Sequence, residues 1–140
     1  YTEIVSLTGT QSLVTANGTV AIDSLSTIAG QSINLGAGST LSLGAGTLSG
    51  GIGGSGNLAK TGSGTLTING TNSYSGSVTI SGGTLVAGSS TALGNTTGST
   101  SIASGATLDV QANLGTETLT SAGGSIVTST GTGTLGGTVA

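Results

Sequence analysis

Residues 54–88 read GSGNLAKTGSGTLTINGTNSYSGSVTISGGTLVAG. The apolar residues of this stretch come as pairs split by one polar residue, Leu66/Ile68 and Val78/Ile80. That spacing is the period-2 signature of a strand with one buried face. Asn69-Gly70, Ser75-Gly76 and Gly82-Gly83 separate the pairs and read as turns. Working outward, the same pair recurs at Val20/Ile22, Ile33/Leu35, Leu41/Leu43 and Leu108/Val110, with Val5/Leu7 near the start. Leu48, Leu58, Leu85, Leu119, Ile126 and Leu135 continue the rhythm as single anchors of shorter strands. No stretch places apolar residues at i, i+3, i+4 and i+7, and each Gly costs a helix about 1 kcal/mol relative to Ala. The chain is expected to be all-β.

The kind of β architecture follows from what is missing. Anchors recur every 6 to 12 residues or so. A sandwich or barrel usually fills a core about 10 Å thick with aromatic rings. Here the only aromatic residues are Tyr1 and Tyr74, and neither reads as a core filler. A narrow solenoid stacks small aliphatic side chains in ladders and needs no large rings. The expectation is a right-handed parallel β-helix of three short strands per rung. At roughly 20 residues per rung it would form about six or seven rungs in one domain spanning residues 1–140. Rungs stacked about 4.8 Å apart make a body about 30 Å long. Gly18, Gly70, Gly76, Gly83 and Gly105 are candidate corner residues, because tight bends need positive φ.

Composition narrows the function. Of 140 residues, 29 are Gly, and Pro, Cys, Met, Trp, Phe and His are absent. Only 4% are charged, so Ser, Thr, Asn and Gly must cover the surface. The 34% hydrophobic content, regularly spaced, speaks against disorder. Lys60 stands alone against Glu3, Asp23, Asp109 and Glu117, for a net charge of −3. One cation cannot neutralise a run of phosphates or hold an anionic bilayer, so no nucleic acid and no membrane partner is expected. No apolar run approaches the roughly 20 residues that span a bilayer. Without an initiating Met or a signal peptide at its start, the chain reads as a mature product or an excised piece.

Catalytic constellations are not assembled by this composition. Glycoside hydrolysis needs two carboxylates facing one substrate across about 5–9.5 Å, and Asp23 and Asp109 are separated by several rungs. Proton abstraction needs a base with cations to hold the developing charge. A Ser triad lacks its His, and zinc lacks Cys and His ligands. Gly50-Gly51-Ile52-Gly53-Gly54 is similar to a calcium β-roll without the Asp ligands. Gly51 to Gly56 fits GxGxxG with no helix to receive a phosphate. The expectation is no enzyme, no cofactor and no metal. The four acids and Lys60 read as solvated surface positions, and Tyr74 as a ring laid over a rung edge.

The same stretch carries a family resemblance. Leu58, Lys60, Gly62, Gly64-Thr65-Leu66, Gly70, Asn72, Tyr74-Ser75-Gly76 and Gly83-Thr84-Leu85 resemble the passenger-associated transport repeat, also called the autotransporter-associated β-strand repeat. Residues 89–110, SSTALGNTTGSTSIASGATLDV, look like sequence that commonly follows it. Together the repeat-like core is 54–110. The resemblance implies a β-helical passenger, exported through an outer-membrane β-barrel translocator and displayed outside a Gram-negative cell as a stalk or adhesive face. The chain holds neither the translocator barrel nor the signal peptide of a whole autotransporter, so it would be a passenger fragment or a relative put to another use. The alternative is a subunit of an extracellular filament, self-associating head to tail through open solenoid ends. Less favoured is an ice-binding or other flat ligand face, for which Thr65/Thr67 and Thr118/Thr120 are the outward candidates. The surface ligand has no name in the sequence.

Overall fold

The computed structural model describes residues 4–6 and 12–140, and it is a parallel β-solenoid. Leu7 of the expected Val5/Leu7 pair, together with Tyr1 and Glu3, lies outside the described residues. Among the described residues fourteen strands follow one another: β1 (Ile4–Ser6), β2 (Ser12–Thr15), β3 (Gly18–Ser26), β4 (Ser32–Leu35), β5 (Ser39–Leu48), β6 (Gly51–Gly54), β7 (Asn57–Lys60), β8 (Thr65–Ile68), β9 (Val78–Ile80), β10 (Thr84–Ala87), β11 (Thr100–Ala103), β12 (Thr107–Val110), β13 (Leu119–Ala122) and β14 (Ser125–Val127). Every paired strand runs parallel to its neighbour, so each pairing joins one turn of the coil to the next.

The strands fall into three ladders. The first face stacks the front halves of β3 and β5 with β7, β9, β11 and β13, which makes about six turns. The second stacks β1 and the back halves of β3 and β5 with β8, β10, β12 and β14. The third stacks β2, β4 and β6. The turn length varies, from 17 residues between the paired Leu41 and Leu58 to 23 between Thr84 and Thr107.

Two departures from a uniform three-strand rung are informative. In the early turns the first corner is made by strands that bend without breaking, β3 and β5. Gly46 (φ +134°) permits this, since a Cβ there would run into the carbonyl of Leu25 one turn below. From β7 onward the corner opens into turns at 61–64 and 81–83. The third face is a regular ladder only through β6. Beyond it, residues 71–75 and 91–95 keep cross-turn bonds without strand geometry: Ser73 N to Ile52 O (2.7 Å), Ser75 N to Gly54 O (3.0 Å) and Asn95 N to Tyr74 O (2.9 Å).

The inward residues are those the alternation selects. Leu41, Leu43, Leu58, Leu66, Ile68, Ile80, Leu85 and Leu108 are fully buried. Each contributes about 1.5–3 kcal/mol by leaving water. Of the five predicted corner glycines, Gly18, Gly83 and Gly105 have positive φ. Gly70 and Gly76 do not. They are glycines because a Cβ would collide with the carbonyls of Gly50 and Gly56 in the turn below.

Candidate functional site

The register places Ile22, Leu43, Lys60, Ile80 and Ile102 in one inward ladder of the first face. Lys60 is therefore inside the solenoid and 0% exposed, which corrects its reading as a surface residue. Its side chain reaches the first corner and donates to three main-chain carbonyls: Thr61 O (2.6 Å), Gly62 O (3.2 Å) and Gly82 O (3.1 Å). The ammonium has three N–H donors, so three neutral carbonyls from two stacked turns match it. Burial pushes its pKa below the ordinary lysine value. Gly83, with positive φ, sits where a Cβ would come within 2.7 Å of Nζ.

Asn72 and Tyr74 occupy the irregular third face of the following turn. Asn72 is buried. Its Oδ1 accepts from Ile52 N (2.9 Å) in the turn below, and its Nδ2 donates to Gly70 O (2.9 Å). Its own backbone N–H donates to Thr91 Oγ1 (2.9 Å) in the turn above. The amide thus replaces the carbonyl that a regular strand would have offered to Ile52. Ser89 Oγ also donates to Gly70 O (2.7 Å), tying a third turn to the same point.

Tyr74 is a core residue, 0% exposed, and not a ring over the edge. Its hydroxyl donates to Ala92 O (3.0 Å). The ring fits because the turn above presents Gly94, where a Cβ would lie 2.9 Å from Cε2. Burial, and then the charge of Glu117, raise the phenol pKa far above its usual value.

Two of the acids also prove buried, against the solvated reading. Glu117 accepts from Thr100 Oγ1 (3.2 Å), and burial raises its pKa more than that bond lowers it. Asp109 accepts from Ser129 N (2.9 Å), Ser129 Oγ (2.6 Å) and Gln111 Nε2 (2.9 Å). Burial alone would raise its pKa, but these bonds together hold it below the usual range. Among the described residues no buried side-chain polar atom lacks a partner, and no three metal-ligating residues come together.

The remaining signature residues frame these groups. Leu58, Leu66 and Leu85 are buried anchors; Gly62 turns with positive φ; Gly64 lies against Ala45; Thr65 is exposed and Thr84 half-buried at the starts of their strands. Outside this cluster, a shallow uncharged groove of about 490 Å³ runs over β6, between Ser32 and Asn34 on one side and Thr71 and Ser73 on the other. The outward Thr pairs do not form one array. Thr65/Thr67 lie on the second face and Thr118/Thr120 on the first, and the ladder above Thr67 continues as Val86 and Asp109.

With Lys60, Asn72 and Tyr74 all drawn inward and bonded between turns, the stretch has the organisation of a defined repeat. Residues 58–87 match the model of the passenger-associated-transport-repeat. The chain thus carries this repeat within a parallel β-solenoid, consistent with an autotransporter passenger β-helix. Neither the curated proteins nor the solved structures yield a match. The motif was visible in the sequence, whereas the burial of its polar members was not. One signal could have found Lys60: it stands two residues after Leu58, as Leu43 does after Leu41 and Ile80 after Val78.

Proposed function

We propose that the chain is a non-catalytic passenger segment, exported through an outer-membrane β-barrel translocator of a Gram-negative bacterium and displayed as a rigid stalk or interaction face. The single observation that carries this reading is the repeat at 58–87, seated in the middle of a parallel solenoid. Physical chemistry supports it. A coil whose turns pair only with their neighbours can form progressively as it emerges. Almost no charge has to be moved along the route, with one Lys and four acids in 140 residues. The outer surface is dominated by hydroxyls, which suits an extracellular face without free thiols.

The test places the 140-residue chain between a signal peptide and a translocator barrel and measures external protease accessibility on intact cells. Deletion of residues 58–87 should reduce the displayed amount well below that left by deleting the 30 residues 22–51. Equal display of the two deletions would remove the support for a passenger role.

A further inference from the structure

The outer surface of this solenoid carries little information about which strand belongs beside which. The second-face strands read Thr65-Leu66-Thr67-Ile68, Thr84-Leu85-Val86-Ala87 and Thr107-Leu108-Asp109-Val110. A shift of one residue would turn every buried side chain outward, so the alternation alone forbids it. A shift of two residues preserves the alternation, and the apolar ladders and hydroxyl rows accept it almost equally well. Something other than hydrophobic pattern must exclude that slip.

We infer that the buried polar residues of the repeat, with Lys60 foremost, select the register in which successive turns stack. Lys60 Nζ is satisfied by Thr61 O and Gly62 O from its own turn and by Gly82 O from the next. A two-residue slip of β9 against β7 carries the 81–83 turn about 6.6 Å along the strand. Gly82 O then leaves the reach of the ammonium, which stays buried with a donor unmatched. Breaking one partner of a buried charge is strongly unfavourable, while an apolar residue of similar volume in its place is often tolerated. Asn72 acts the same way on the third face, bridging Ile52 N below and Thr91 Oγ1 above. Tyr74 adds its bond to Ala92 O, also in the turn above. The selection acts on turn stacking and does not depend on the passenger reading.

The chain contains no Cys, so disulfide trapping can read the register directly. Ala59 and Thr79 are paired neighbours on the outward side of β7 and β9. Adjacent strands about 4.8 Å apart fall inside the Cα window of about 4.4–6.8 Å for a disulfide. The slipped pairs, Ala59 with Ser77 or with Ser81, fall outside it in the native register. Three double variants of the full chain, A59C/T79C, A59C/S77C and A59C/S81C, are refolded, oxidised and scored by mass spectrometry. Each is made with Lys60 and with Lys60→Met, and circular dichroism checks that the β-structure forms. With Lys60, the in-register bridge should exceed the slipped ones by about 100-fold or more, as several kcal/mol against the slip implies. In the Lys60→Met background, the slipped bridges should rise to within about tenfold of it. Undiminished preference in Lys60→Met overturns the inference. So does loss of β-structure in that variant, because the ammonium would then be a stabiliser and not a selector.

Discussion

Leu43 and Lys60 occupy the same inward ladder one turn apart, yet the two turns solve the corner in opposite ways. At Leu43 the strand β5 runs on through the bend, closed by Gly44 and Gly46, and the interior of that turn is Leu41, Leu43 and Leu48. At Lys60 the strand stops, and the turns 61–64 and 81–83 aim carbonyls at the ammonium. The early turns thus owe their cohesion to apolar area together with short buried hydroxyls, Thr15 bonded to Ser39 (2.6 Å) and Thr27 Oγ1 accepting from Gly50 N (3.0 Å). Among the described residues they bury no charge. The repeat replaces part of that area with directional bonds, each tied to one neighbouring turn. An apolar ladder stabilises any register that keeps it buried, whereas a buried polar group stabilises only the register that satisfies it.

The hardest test of that contrast transfers the Lys without its cage. Leu43→Lys is expected to lose about 3–5 kcal/mol or more, because an unmatched charge replaces a buried aliphatic side chain. Urea denaturation of the purified chain measures it. Survival of Leu43→Lys at near-native stability would show that any first corner can house an ammonium, and the comparison would fail. Next in size is Tyr74→Ala, expected to lose about 3–5 kcal/mol through the emptied space beneath Gly94. Tyr74→Phe keeps the ring and orphans only the carbonyl of Ala92, for about 1–3 kcal/mol. A Phe variant as damaged as Ala would assign the stabilisation to the hydroxyl and not to the packing. Asn72→Ala sharpens the point on the third face. It leaves the buried N–H of Ile52 unpaired, for a loss of about 1–3 kcal/mol, and hydrogen exchange at Ile52 should accelerate more than at Ile33 in the regular part of the ladder.

What the sequence disclosed tracks the same divide. Every pair that alternated Leu, Ile or Val about one polar residue became a strand where described, because in/out alternation is a local property of the extended chain. The missing aromatic residues pointed to a narrow solenoid for a reason of volume. The polar interior was not legible from residue type. Lys, Asp and Glu are almost never fully buried unless paired, and the partners of Lys60, Asn72 and Asp109 include groups about 20 residues away in sequence that become neighbours only when turns stack. Tyr74 was misread for a related cause: its pocket is made by Gly94 of the next turn. The even three-strand rung failed at 71–75, where an Asn side chain took over from a backbone carbonyl.

The smallest expected effect separates two carboxylates near the far end from the repeat. Glu117 has its pKa raised, by burial first, against the lowering bond from Thr100. A folded pKa above the unfolded one means that its stabilising contribution is complete below the ordinary carboxylate value of about 4.3 and is lost as pH rises through the folded value. Asp109 behaves oppositely. Burial raises its pKa, but the Ser129 and Gln111 bonds bring it below the usual range. Its contribution is present above about pH 3.9 and is lost as pH falls through the lowered value. Of these two carboxylates only Glu117 should therefore tilt the stability between about pH 4.5 and 7, and its contribution should make the melting temperature decline with rising pH. Glu117→Gln should flatten that decline, while Asp109→Asn should lower the whole curve and leave its slope. An unchanged slope in Glu117→Gln would mean that this carboxylate reaches water in the folded chain. Asp109, with its bonds to Ser129 and Gln111, would then be the buried charge that ties the turns above the repeat together.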